Sequence, residues 1–188
     1  EKEVSVSEVN ITKTALANAL KELLLQVPFS KVSVRSICKI CGLNRKSFYY
    51  HFKDKYDLLN WVFCSEFSAL IQKSGIKDCG DLIRQLSVYF YENRAFYSRA
   101  FEVHGQNSFY DYFREFIQTI LSELLRSYWP SEEYFQDFIA FFADVITCAI
   151  RNWLQIAVPP PPGEFCQLLR TSILSMARSI EESEPLPE

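Results

Sequence analysis

The chain has 188 residues, 48% hydrophobic and 15% aromatic with only five glycines, a composition that excludes disorder and is enough to bury a real core. No stretch approaches the roughly twenty apolar residues needed to cross a bilayer, since the best one, 139–150, contains Asp144; the polar, acidic start at 1–8 does not read as a signal peptide, so a cytoplasmic protein without a membrane partner is expected. The net charge of −3 hides an asymmetry: residues 1–62 carry ten Lys/Arg against six Asp/Glu and the remainder ten against seventeen, which suggests a polyanion-binding front joined to a back that avoids polyanions.

Taken in order, Asn10 is placed to cap a first helix whose Leu16, Leu20, Leu23 and Leu24 share one face, and Pro28 marks its end. Ser33 would cap a second helix with Val34, Ile37, Cys38 and Cys41 turned inward, and Gly42 stops it. Asn44 caps a short third helix over 45–50, and Asp54 opens a fourth from Lys55 to about Gln72. Residues 74–80 read as a loop with two glycines. Helical periodicity then returns over 82–93, 95–103, 108–128, 131–156 and 164–182, with Ser131, Glu132 and Glu133 as a charged helix start and Pro159 to Pro162 as a stiff spacer. Strand-type alternation is nowhere convincing, so the fold class is all-α.

Residues 33–55 read SVRSICKICGLNRKSFYYHFKDK: a helix, a three-residue turn containing Gly42, and a second helix, which is the helix-turn-helix arrangement. Leu43 plugs the angle between the two. The second helix carries groups suited to a DNA groove, with Arg45 and Lys46 at its N-terminal end, then Ser47, Tyr49 and Tyr50. Phe48 and Phe52, four apart and facing away from Tyr50, are expected in the core.

The unbroken Phe48 to Lys55 string, with Ile37, Cys38 and the turn glycine Gly42 before it, resembles the TetR family of transcriptional regulators. That resemblance implies that Arg45, Lys46 and Tyr50 face base edges in the major groove of a double-stranded DNA operator. It implies phosphate contacts for Ser33, Asn44, Tyr49, His51 and Lys55, three of which (Ser33, Asn44 and Lys55) also stand at helix N-termini, where anions are favoured. Lys46 departs from the family, which usually has glycine or another small residue there; a long cation at this position has the reach for an extra phosphate or base contact, so the resemblance does not fix the operator sequence.

Several features have plainer readings. His51 is either a phosphate contact or a satisfied structural histidine. Cys38 and Cys41 have the spacing of a zinc or redox pair, but they lie on a buried helix face with no second pair and only two histidines in the chain, so core packing is expected and no metal or cofactor. The six cysteines are expected as free thiols. His104, beside Tyr97, Phe101 and Phe109, is either a turn residue or the mouth of an aromatic ligand pocket to which Phe142 and Trp153 would contribute. An enzyme is disfavoured: the histidines are far apart, and there is no glycine-rich phosphate loop or nucleophile motif.

The 131–156 helix carries Phe135, Phe138, Ile139, Phe142, Ile146, Ala149, Ile150 and Trp153 on an apolar face wider than one neighbour needs, so part of it should meet another subunit. The resemblance implies a homodimer through helices 131–156 and 164–180, recognition helices about one DNA turn apart, and a ligand cavity in 81–128 through which an unidentified small-molecule effector releases a repressor. The organisation expected is a helix-turn-helix domain at 9–53 and a helical ligand-binding and dimerisation domain at 54–182, with flexible flanks at 1–8 and 183–188. The stretch from Tyr97 to Phe109, followed by the Trp153-bearing helix, is similar to a branch of the family that regulates dihydroxyacetone kinase genes. Some members of that branch act through a partner protein, so a coactivator or partner-binding subunit working through its C-terminal lobe is the alternative.

Overall fold

Nine α-helices and no strand account for the regular structure of the described residues, which in this computed structural model are 6–102, 108–128 and 133–181. They are α1 (Val6–Gln26), α2 (Val34–Cys41), α3 (Arg45–His51), α4 (Lys55–Ser74), α5 (Cys79–Glu92), α6 (Arg94–Ala100), α7 (Phe109–Leu125), α8 (Phe135–Gln155) and α9 (Pro162–Glu181). Short 3-10 turns occupy Phe29–Lys31 and Arg126–Tyr128. No helix among these residues is long and apolar enough to cross a membrane.

Most boundaries follow side-chain caps. Ser33, Asn44, Asp54, Asp78 and Ser108 each accept a backbone N–H from the first turn of the helix that follows. Asp78 is the cap missed in the sequence: its carboxylate accepts the Asp81 N–H at 2.8 Å, so α5 starts at Cys79 and shortens the expected 74–80 loop. α1 begins at Val6, so Asn10 lies inside the helix rather than at its cap, and only 1–5 of the expected N-terminal flank lies outside the described residues. The 183–188 flank lies outside them as well. So do Ser131 and Glu132; α8 starts at Phe135, after Tyr134 turns the chain at φ 60°.

The proline run does more than space two helices. Pro162 is the first residue of α9, where a missing N–H costs nothing, and the Pro160 carbonyl accepts the Trp153 indole N–H at 2.9 Å. Trp153 also stacks on Phe165 at 4.2 Å, fixing the end of α8 to the start of α9. Arg94 of α6 covers the C-terminal end of α8 by donating to the Leu154 and Ile156 carbonyls at 2.9 and 2.5 Å.

One continuous hydrophobic cluster runs through the molecule. Leu16, Leu20 and Leu24 of α1 pack with Ile37 and Cys38 of α2 and Phe48 of α3, and the cluster continues through Leu59 and Phe63 of α4 into an aromatic centre. There Phe63 stacks on Phe67 and Phe90 and meets Tyr97, Phe109 and Phe113 edge-on. α8 packs on α7, tied by the Arg114–Asp144 ion pair, and α9 packs on α5.

This packing divides the apolar face of α8. Phe135, Ile139, Ile146, Ile150 and Trp153 are buried inside their own chain against α7, α6 and α5, whereas Phe138, Phe142 and Ala149 of the same expected face are only partly buried. What α8 leaves outside is Phe141, 61% exposed. α9 exposes Leu168, Leu174 and Met176.

Candidate nucleic-acid interface

The recognition segment is built from its caps. Ser33 and Ser36 form a reciprocal capping box, each hydroxyl accepting the other residue's backbone N–H at 3.1 and 3.0 Å. Gly42 ends α2 at φ 68°, a conformation only glycine adopts without strain, and its N–H returns to the Cys38 carbonyl. Leu43 follows, half-buried against the core as the wedge between α2 and α3. Asn44 then starts α3, its side-chain oxygen accepting the Ser47 N–H at 2.8 Å and the Ser47 hydroxyl at 3.2 Å.

Phe48 and, just past the end of α3, Phe52 are buried, while Arg45, Lys46, Tyr49 and Tyr50 face outward. Tyr50 is 71% exposed, the most open aromatic of the segment, and Arg45, Lys46 and Tyr49 are exposed with it. Arg45 is pre-positioned: its guanidinium donates to the Tyr49 hydroxyl at 3.3 Å and lies 5.7 Å from the ring centre, and this hydrogen bond raises its pKa further above the ordinary arginine range. The structure thus keeps Arg45, Lys46 and Tyr50 together on one short exposed helix whose N-terminal end carries the two cations. Exposed Arg35 and Lys39 of α2 and Lys53 after α3 add positive charge nearby in the chain; no motif singled them out, and only their exposure does so.

The backbone-contact candidates divide. Ser33, Asn44 and Tyr49 are exposed; the first two are already employed as caps, so an incoming phosphate would meet the helix N-terminal N–H groups beside them. His51 is half-buried, edge-on to Tyr50 at 4.9 Å. Burial first, and the Lys13 charge second, hold its pKa below the ordinary histidine value, which leaves a neutral ring at neutral pH. Lys55 departs from expectation. Its ammonium donates to the Phe29 and Val32 carbonyls, both at 2.8 Å, and lies 4.5 Å from the Phe29 ring centre, so it is turned into the protein rather than toward a phosphate.

The aromatic pocket residues are not gathered into one site. Tyr97, Phe101 and Phe109 are together, with ring centres of Phe109 at 5.3 Å from Tyr97 and 4.9 Å from Phe101, but they fill their own space and are buried. Phe142 packs on Phe138 and Phe141, and Trp153 on Tyr91 and Phe165. His104 lies outside the described residues. A cleft of about 470 Å³ lies instead between the start of α4 and the start of α7, lined by Asp54, Asp57, Asn60, Ser108, Asp111 and Glu115 among others. Cys38 is packed in the core, its thiol pKa raised by burial, and the Cys41 thiol donates to the Ile37 carbonyl at 3.3 Å; all six cysteines carry free thiols.

Comparisons with known proteins agree with this geometry. Residues 16–62 match the model of bacterial regulatory proteins of the tetR family, and residues 78–175 match a transcriptional regulator C-terminal region. A curated relative, the HTH-type dhaKLM operon transcriptional activator DhaS of Lactococcus lactis, is 30% identical over 94 residues; the match spans half of this chain and half the length of that protein. Among solved structures, a dihydroxyacetone kinase operon activator DhaS superposes with a TM-score of 0.63 at 20% identity, covering 88% of this chain and 96% of that one. A TetR transcriptional regulator from Streptococcus agalactiae gives 0.68 at 19% identity over 89% and 96%. The helix-turn-helix with its exposed α3, the all-helical fold and both matched regions lead to one conclusion: the chain belongs to the TetR family, transcriptional regulators that bind DNA and dimerise.

Proposed function

We propose that this protein is a homodimeric regulator that reads a palindromic operator through α3, with Arg45, Lys46 and Tyr50 on base edges and Ser33, Asn44, Tyr49 and His51 along the backbone. The observation that carries this reading is the exposed Arg45-Lys46-Tyr50 face of a helix whose opposite face, Phe48, is fully buried. A fixed helix presenting cations and a phenol at groove depth is what direct readout needs, and one arginine–guanine pair is worth about 1–3 kcal/mol of discrimination. In this reading residues 9–53 form the DNA-binding unit and 54–182 the regulatory and dimerising unit. Dimerisation runs through the faces of α8 and α9 that expose Phe141, Leu168, Leu174 and Met176.

Effector release as a repressor is the first form of the regulation. An effector would act by re-packing the Tyr97–Phe101–Phe109 cluster, which is filled in this structure. The curated relative is named a transcriptional activator, which favours a second form, an activator or coactivator working through a partner on its C-terminal lobe. Selection of bound DNA from a random pool tests the common part. Recovery of an inverted repeat with half-sites about one helical turn apart is the expected result, and failure to enrich any sequence in a salt-sensitive manner would end the proposal.

A further inference from the structure

α6 grips the C-terminal half of α1 by contacts of three kinds. Arg99 donates to the Leu24 carbonyl at 2.5 Å, and the Lys21 ammonium lies 5.7 Å from the centre of the Phe96 ring. The third is a chain of side chains that crosses four helices: Tyr97 of α6, Tyr89 of α5, Glu66 of α4 and Lys21 of α1. Residues 21, 66, 89 and 97 have no periodic relation in the sequence, so nothing short of the fold brings them together.

The proton count gives the chain a direction. Each phenol has one proton. Tyr89 donates its own to Glu66 Oε2 at 2.8 Å, so in the 2.5 Å contact between the two hydroxyls Tyr97 must be the donor and Tyr89 the acceptor. The other carboxylate oxygen, Oε1, takes the Lys21 ammonium. Glu66 is therefore the node, with one oxygen for the aromatic core and one for α1. Both phenols are buried, where a hydroxyl that loses its partner has no water to turn to. Tyr97 at the far end is packed against Phe90 and Phe109, whose ring centres lie 4.9 and 5.3 Å from its own. Re-packing of that cluster therefore displaces the hydroxyl on which the chain ends.

We infer that Glu66 is a positioning residue that fixes α1, and with it the DNA-reading helices packed on α1, relative to the aromatic core, and that the Tyr97 hydroxyl is the end of the chain that reports how that core is packed. The inference rests on the reading of a dimer that spans two half-sites, because only then does the orientation of each reading head against its core have a consequence for DNA.

The test uses the full chain, the operator recovered by selection, and versions of it with one and two base pairs inserted between the half-sites. Wild type is expected to bind the altered spacings more weakly. Glu66→Gln keeps an acceptor for Tyr89 but turns an amide N–H₂ toward Lys21; it should weaken binding to the native spacing about tenfold and shrink the penalty for altered spacing by a similar factor. Tyr97→Phe keeps the ring packing, so it remains informative if Glu66→Gln fails to fold, and it should do the same by about threefold. Combined with Lys21→Met, its effect should be non-additive. If the variants lose affinity equally for all spacings, in step with their melting temperature, the residues are merely structural and the inference is overturned. A wild type indifferent to spacing would overturn the two-half-site reading and the inference with it; a wild-type penalty that both variants retain would overturn the inference alone.

Discussion

Lys55 Nζ lies 2.8 Å from the Val32 carbonyl oxygen, so the first residue of α4 closes the loop that delivers α2. The same ammonium reaches Phe29, and its desolvation there lowers the lysine pKa from the ordinary value. A cation held by two carbonyls ties the start of α4 to the loop that precedes α2.

Lys55→Met therefore leaves those carbonyls without their donor and is expected to lower stability by about 1–3 kcal/mol. Operator affinity should fall with it, because the capped start of α2 shifts, while the slope of log affinity against log salt should stay as in wild type. Removing a phosphate contact would instead flatten that slope by about one unit. Titrations at three or more salt concentrations distinguish the two roles, and a flattened slope would return Lys55 to the DNA surface.

Arg45 and Tyr50 are exposed and contribute nothing to the core, so their removal should separate binding from folding. The double variant Arg45→Ala, Tyr50→Ala is expected to lose sequence-specific binding while keeping its melting temperature and dimer mass. Arg45→Ala alone should cost about 1–3 kcal/mol and relax preference at one base position in each half-site. Loss of the dimer in the double variant would contradict the placement of dimerisation on α8 and α9.

Gly42 and Asn44 make the turn. Gly42→Ala places a Cβ on a residue at φ 68°; open space surrounds that position, so the cost is backbone strain alone, about 1–2 kcal/mol. Asn44→Ala removes the cap on Ser47 and should cost about 1 kcal/mol. Denaturant titration of the two variants reads both numbers, and a Gly42→Ala variant as stable as wild type would show that the turn has another conformation in solution.

The helix-turn-helix was legible because its information is local: Ser33, Gly42, Asn44 and Asp54 act within four residues of their own position, and the buried pair Phe48 and Phe52 follows from helical spacing. Boundaries failed where a cap was ambiguous. Asn10 has the right chemistry but lies inside a helix that begins earlier, and Asp78 was hidden in a glycine-bearing loop. What depends on long-range packing could not be read at all. Lys55 is a plausible phosphate ligand until Phe29 and Val32, more than twenty residues away, arrive beside it. The aromatic residues have spacings compatible with core or pocket, and only the fold separates Tyr97, Phe101 and Phe109 from Phe142 and Trp153.

His51 supplies a pH prediction. Burial and Lys13 hold its folded pKa below the ordinary histidine value, whereas the unfolded chain takes up its proton near about 6.5. Above that pH both states are neutral at this site and its contribution to stability is complete. As the pH falls below it, the unfolded state binds a proton that the folded state refuses, so stability is lost progressively down to the folded pKa. The melting temperature of wild type should thus fall more steeply between pH 7 and about 5 than that of His51→Gln, in which the ring no longer titrates. Carboxylates elsewhere titrate alike in the two proteins and cancel in the difference. Parallel curves for the two proteins would show that His51 takes up its proton as readily in the folded chain as in the unfolded one.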